Sequence, residues 1–245
     1  MGGVVYWSSL IHKGTTVKRS EVNRVIREAV DTFENRGIHL PAFAGWRPTE
    51  WLHRIDDVSE LVEAGLGWDV VEWPPGPFSG SGLLLFTLRN VRRRQPSGYT
   101  DGYAEKLMLI RPGQRTPLHT HRRKTEDLIN RGGGLLVIEF GEDTASKSHS
   151  IILNGVTQPI DRAVELRPGD SVTLSPGVYH SFIARESDVV AGEVSTYNDD
   201  EHDNVFADPM ERYPRLEEDE PPERLLVADY RRVLKTLSSS NLQAE

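Results

Sequence analysis

The sequence predicts a mainly β protein, a closed barrel or jelly roll carrying helices on its N-terminal side and a short helical tail at the other end. Three observations predict it. From Leu83 the chain runs through short apolar or alternating segments separated by turn residues: LLLFTLRN, AEKLMLI, GLLVIEF, SIILNGVT, AVELRPGD, SVTLSPG, HSFIA and VVAGEVST. Asn154-Gly155 sits between two such runs, where a two-residue hairpin turn needs positive φ at both central positions. Before Leu83 the apolar spacing is helical instead.

Taken in order, the opening MGGVVYWSSLIHKG is poorly patterned and reads as a variable or over-long start. From Ser20, the apolar residues Val22, Val25, Ile26, Ala29, Val30 and Phe33 follow the i, i+3, i+4, i+7 rule of an amphipathic helix. Ser20 can cap it and Gly37 can end it. RPTEWLHRIDDV gives a shorter helical signal, with Pro48 suited to a first turn and Thr49, Glu50 and Asp56 to short helical segments. Within the strand-like region, RPGQ at 111–114 and RPGD at 167–170 each precede a histidine-bearing segment, a faint twofold echo. After residue 200 the chain becomes acidic and proline-broken, as in RYPRLEEDEPPER, before a last helical stretch, LLVADYRRVLKTL. No low-complexity linker divides it. Residues 1–245 therefore read as one domain: a partly helical region over 16–82, a barrel core over 83–200, and an acidic segment and helix over 201–245.

Composition narrows the chemistry. Cysteine is absent, which excludes disulfide staples, thiolate metal sites and cysteine nucleophiles together. Any metal must be held by nitrogen and oxygen. A net charge of -8 argues against attraction to nucleic acid or an anionic membrane, and the basic RNVRRRQ at 89–95, lacking interleaved aromatics, reads as a solvated loop. No apolar run approaches the ~18 residues of a membrane span, and the start lacks the basic flank of a signal peptide, so a cytoplasmic location is expected.

PLHTHRRKTEDLINRGGG, residues 117–134, carries the densest chemistry. Side chains alternate along a strand, so His119 and His121 share a face if the segment is extended, and two imidazoles on one face can share an ion. Glu126 can add an oxygen, and a fourth ligand must come from elsewhere. GDSVTLSPGVYH, residues 169–180, offers His180. Together with Gly113-(x5)-His119-x-His121-(x4)-Glu126-(x6)-Gly133, this resembles the two-part signature of the cupin superfamily, and hence implies a cupin-type β-barrel. The first part agrees at every spacing. The second departs slightly, with six residues before the proline and Pro-Gly where Pro-x-Gly is usual, so His180 is the expected ligand on a loop of altered geometry. Three imidazoles and one carboxylate suit a divalent first-row metal with positions left for substrate. His12, His39, His53, His149 and His202 show no such spacing and read as structural. Gly132, Gly133 and Gly134 lack the lysine and helix of a phosphate loop and read as a strand-entry turn.

Several further phrases, KLMLIRPGQRTPLHTHRRKTEDLINRGGG, GLLLFTLRN, GEVSTYNDDEHDNVF, KRSEVNRVIREA and LPAFAGWRPTEW, are similar to the D-lyxose ketol-isomerase family. The resemblance runs from about Lys18 to Glu220 and includes segments that serve no metal ligand. It implies a metal-dependent aldose-ketose isomerase, most often activated by Mn²⁺ with Zn²⁺, Fe²⁺, Co²⁺ and Ni²⁺ as alternatives. Such enzymes interconvert D-lyxose with D-xylulose and D-mannose with D-fructose, through an enediol held on the metal. That chemistry needs cationic donors and a base. Lys106, on the strand before the motif, and Lys124, inside it, are the natural donors; Glu193 and Glu217 are the candidate bases, ranked nearly equal. A free pentose or hexose is the expected small-molecule partner, with no nucleic acid and no membrane, and a homodimer the expected assembly. A non-haem iron dioxygenase and a non-catalytic sugar-binding cupin could use the same ligand set.

Overall fold

The first described element is β1 (Thr16–Lys18), which runs directly into α1 (Arg19–Asn35). The computed structural model describes residues 16–54, 58–73, 76–90, 102–142, 149–200, 202–208, 210 and 215–232. The opening segment with His12, the VRRRQ of the basic stretch, Asp56 and the tail beyond Arg232 lie outside the described residues. α1 buries Val22, Val25, Ile26, Ala29 and Phe33, the face its periodicity picks out. Its end is as expected. Gly37 takes φ 69, its N–H bonds to the Glu34 carbonyl, and that of Ile38 bonds to the Phe33 carbonyl, closing a Schellman motif. Its start is not, because the helix begins one residue before Ser20. The carboxylate of Asp219 caps it instead, accepting from the Ser20 N–H at 2.9 Å and the Ser20 hydroxyl at 2.6 Å.

A 3₁₀ turn (Ala42–Gly45) and two short helices follow, α2 (Pro48–His53) and α3 (Ser59–Ala64). Pro48 occupies the first turn of α2, and the Glu50 carboxylate accepts from the Arg47 N–H at 2.9 Å. Within the partly helical region, β2 (Gly67–Glu72) is a strand that the sequence did not mark. It is buried along its whole length, so no polar alternation marks it. α4 (Phe78–Ser81) then leads into β3 (Gly82–Arg89).

The remaining strands are β4 (Tyr103–Ile110), β5 (His119–His121), β6 (Glu126–Phe140), β7 (Ser150–Leu153), β8 (Val156–Pro159), β9 (Ala163–Leu166), β10 (Ser171–Leu174), β11 (His180–Thr196), β12 (Asn204–Phe206) and β13 (Arg215–Glu217). Asn154 and Gly155, at φ 49 and φ 81, make the expected hairpin between β7 and β8. HSFIA and VVAGEVST, two runs in the sequence, are one strand, β11, broken in register between Arg185 and Val189. The break faces Gly133 of β6, which takes φ 105; a Cβ there would lie 1.9 Å from the Asp188 carbonyl oxygen. Only glycine fits that crossing. The main sheet has the order β2-β3-β4-β11-β6-β10-β7-β8, with β5 on β11, β9 on β6 and β12 on β5, while β1 and β13 pair in parallel apart from it.

Alternation along β3 and β4 sorts the core into two layers. Leu83, Leu85, Met108 and Ile110 face the barrel interior with Leu128, Val172, Val189 and Ala191. Leu84, Phe86, Leu107 and Leu109 face outward and pack with Trp68 and Val70 against α1. The same period carries polar residues inward: Lys106 shares the interior face with Met108, and Glu193 shares it with Ala191. β13 and the segment after it are bound to α1 by charge. Arg19, fully buried, donates to both Asp229 oxygens and both Glu218 oxygens, each at 2.9 Å. Burial alone would lower the Arg19 pKa, but these two carboxylates raise it.

Arg19→Met therefore strands Asp229, whose side chain is 2% exposed, with Arg232 as its remaining cationic partner among the described residues. Breaking a buried pair from one side costs about 3 kcal/mol or more. Urea denaturation checks this, and a loss below about 1 kcal/mol would show that the pair does not hold the terminal segment. The expected C-terminal helix begins in a 3₁₀ turn (Val227–Asp229) and is helical to Arg232.

Candidate active site

β5 is three residues long, and its alternation turns His119 and His121 to one side as expected. β11 places His180 directly across from His119 in register. The ring nitrogens of these three histidines lie within 4.8 Å of one another. Glu126, the first residue of β6, brings Oε1 to 3.2 Å from His121 Nε2 and 2.9 Å from His180 Nε2.

The hydrogen bonds fix which atoms are left over. His119 Nδ1 donates to the Pro117 carbonyl at 2.9 Å and His180 Nδ1 to the Val178 carbonyl at 3.0 Å, the tautomer following from these partners. Each Nε2 then carries a lone pair. In this neutral tautomer the His180 lone pair faces Glu126 Oε1 across 2.9 Å. Glu126 Oε1, His180 Nε2 and both nitrogens of His121 are buried without a hydrogen-bond partner. With one lone pair from each neutral ring, the three imidazoles and Glu126 Oε1 bring four acceptors together, which is the pattern of a cation site, and the residues fit a divalent metal. Protonation does not compete strongly. Burial, then the neighbouring His180 and His121 rings, push His119 well below the usual 6.5. Burial would raise Glu126, but Lys124 and His121 override it and hold the carboxylate well below its usual range.

Beside this cluster lies a chain of charges. Lys124 Nζ is 2.8 Å from Glu126 Oε2 and 2.7 Å from Glu193 Oε1. Lys106, opposite Glu193 in register, places Nζ 3.6 Å from that oxygen, 2.8 Å from Asn198 Oδ1 and 3.2 Å from Asp200 Oδ1. Lys106, Lys124 and Glu193 are all buried. Burial would lift the Glu193 pKa, but Lys106 and Lys124 bring it below the usual carboxylate value. Burial would lower Lys124, and Glu126, Glu193 and Asp200 raise it instead. Both groups are thus ionised at neutral pH. His119, His121 and Glu126 line one cavity with Lys106, Lys124, Glu193 and Asp200.

Residues 17–230 match the family model described as D-lyxose isomerase. The chain belongs to the D-lyxose isomerase family. It is 41% identical over 226 residues to the D-lyxose/D-mannose isomerase of Escherichia coli O157:H7, covering 88% of this chain and 99% of that one. To the D-lyxose/D-mannose isomerase of Serratia proteamaculans it is 42% identical, covering 89% and 100%. Among solved structures it is similar to the Acinetobacter sp. DL28 L-ribose isomerase in complex with L-ribose, with a TM-score of 0.55 at 18% identity over 83% of this chain and 99% of that one. That likeness supports the cupin-type barrel. As a member of the D-lyxose isomerase family the chain is a sugar isomerase, an enzyme and not a passive sugar-binding module.

The structure brings together seven of the eight residues that the sequence suggested for this isomerase. Glu217 is the exception. It ends β13, exposed, opposite Lys18 of β1, and is not among the residues lining the cavity. Asp200, which does line the cavity, and Asn198 were not singled out, though both lie in the NDD run just after β11. Asp203 also went unmarked: its carboxylate accepts from the Arg123 N–H at 2.9 Å and the Lys124 N–H at 3.1 Å, fixing the turn between β5 and β6.

Proposed function

We propose that the protein is a divalent-metal-dependent aldose-ketose isomerase acting on free sugars, interconverting D-lyxose with D-xylulose and D-mannose with D-fructose. The observation that carries this reading is a buried, ionised carboxylate, Glu193, between two ammonium groups and beside four converging metal-ligand side chains. His119, His121, Glu126 and His180 would hold the ion. A divalent cation there, most readily Mn²⁺, would polarise the C1 carbonyl and C2 hydroxyl of the open-chain sugar.

Glu193 then takes the C2 proton and returns it to C1 while the C2 hydroxyl proton passes to O1, so the two carbons exchange oxidation state and the carboxylate is restored. Its lowered pKa makes it a weak base, so the acidity of C2 must come from the charge around it. Lys124 donates to the oxygen that gains negative charge, as a fixed ammonium in a water-poor cavity can. Lys106 orients Glu193 from the far side, its own shorter contacts going to Asn198 and Asp200. The sugar is proposed as free and not phosphorylated, since Glu193, Glu126 and Asp200 place three carboxylates around the cavity.

Anaerobic incubation of the Mn²⁺-loaded protein with a panel of aldoses, scored for ketose, tests the reading. Ketose formed under argon supports it, whereas turnover that needs oxygen would establish the dioxygenase alternative. Lys124→Met is expected to lower kcat by about 10²- to 10³-fold at saturating Mn²⁺. Lys106→Met should cost roughly tenfold, because its Nζ stands 3.6 Å from Glu193 where that of Lys124 stands 2.7 Å away. Equal losses from the two would contradict the assignment of roles.

A further inference from the structure

The cavity lining is of two chemical kinds: His119, His121, the lysines and the carboxylates, with Thr116 and Asn204, are polar, while Trp73, Leu83, Leu85, Met108, Phe182 and Phe206 form an apolar wall. On that apolar wall one polar atom stands out. The indole of Trp73 is 3% exposed, and its Nε1 is buried with no hydrogen-bond partner. A buried N–H left unmade is costly, and Trp is otherwise placed where this donor can be satisfied. Its position is held firmly. The Trp73 N–H donates to the Ser81 carbonyl at 2.8 Å, and the Ser81 hydroxyl donates to the Trp73 carbonyl. The indole centroid is 6.4 Å from that of Phe206, which lies 6.0 Å from the His119 ring. β12 sets this spacing by pairing Phe206 with His119 in register.

From this we infer that Trp73 is a specificity-determining residue whose Nε1–H donates to a hydroxyl at the distal end of the sugar, C4 to C6. The inference rests on the isomerase reading, which puts C1 and C2 at the polar wall and so directs the rest of the carbon chain across the cavity. These apolar residues accept carbon, and Trp73 Nε1 is the one side-chain donor among them. A distal hydroxyl that reaches Nε1 relieves the unpaired N–H, while one turned against Leu83, Leu85 or Met108 loses water and gains no partner. Stereochemistry and chain length beyond C3 are thereby read by a single neutral hydrogen bond in an apolar setting. A sugar deoxygenated at the matching carbon should keep its fit to the polar wall and lose that contact.

The test compares kcat/KM for an aldose with kcat/KM for its analogues deoxygenated singly at C4, C5 or C6, in the metal-loaded protein and in Trp73→Phe. One deoxy analogue is expected to be poorer by roughly three- to tenfold with the native indole, and that ratio should fall to near one in Trp73→Phe. A merely structural tryptophan would weaken all the sugars alike and leave the ratio unchanged, which would overturn the inference. Calorimetric binding of the corresponding alditols and deoxyalditols gives the same ratio without turnover. If no aldose yields ketose, the isomerase reading has failed, and the alditol ratio still decides the role of Trp73. If Trp73→Phe does not fold, the native protein decides: ratios near one for all three positions would refute the assignment, and a penalty confined to one position would uphold it.

Discussion

Exhaustive removal of divalent metal will abolish ketose formation, and Mn²⁺ will restore it. The donor set compels this. The sequence has no thiolate to offer, and within the barrel Glu126 Oε1 and one lone pair from each of three imidazoles converge. Only a cation balances that arrangement. The Nδ1–H bonds of His119 and His180 to backbone carbonyls orient the rings before any ion arrives, so binding should be coupled to little rearrangement. Two readouts besides activity follow. Bound metal should raise the unfolding midpoint, since a ligand at ~1,000 times its Kd stabilises the native state by about 4 kcal/mol.

The metal-free protein should also lose stability as pH falls below 6.5. The sign follows from His119: its folded pKa lies below the unfolded value, so the unfolded chain binds more protons in acid and stability rises with pH. The carboxylates of Glu126 and Glu193, also lowered, add the same sign only below about 4.5, the usual glutamate value. Full turnover in protein shown to be metal-free would end the metal assignment. A midpoint in the metal-free form that is flat from pH 7 to pH 5 would contradict the burial argument for His119.

The parts of this site legible in sequence are those on strands with a regular period. His119, His121 and Glu126 follow from alternation and spacing, and Lys106 and Glu193 each sit two residues from an apolar interior residue on the same strand. Two kinds of element hid. Fully buried β2 carries no alternation, so its continuation to Trp73 was invisible as cavity wall. The partner of β13 is hidden as well: it sends Glu217 to pair beside β1, a contact between segments some 200 residues apart that no local pattern encodes. The misread start of α1 has the same cause, since its capping carboxylate is Asp219 from the far end of the chain.

Glu193→Gln is expected to lower kcat by about 10²- to 10⁴-fold while the bound metal is retained. Glutamine keeps the size and can still accept a hydrogen bond from Lys124, but it cannot take up and return a proton. Glu193 is not in the proposed ligand set, and Lys124 keeps its 2.8 Å contact with Glu126, so metal content should survive. Glu217→Gln, a change on the exposed end of β13, should leave kcat within about twofold. The isotope experiment separates proton transfer from hydride shift. In D₂O, a carboxylate that exchanges its proton with solvent leaves deuterium at C1 of the ketose, and Glu193→Gln should lose this exchange and turnover together. Because Lys106 and Lys124 hold Glu193 below its usual pKa, any acid limb of kcat/KM above pH 4.5 belongs to another group. That limb should therefore keep its midpoint in Lys106→Met, although the smaller positive charge lets the Glu193 pKa rise. Undiminished turnover in Glu193→Gln would move the base to Asp200, the remaining carboxylate on the cavity wall outside the ligand set. Product free of deuterium after a single passage would instead favour a hydride shift, for which a proton-accepting carboxylate is not needed.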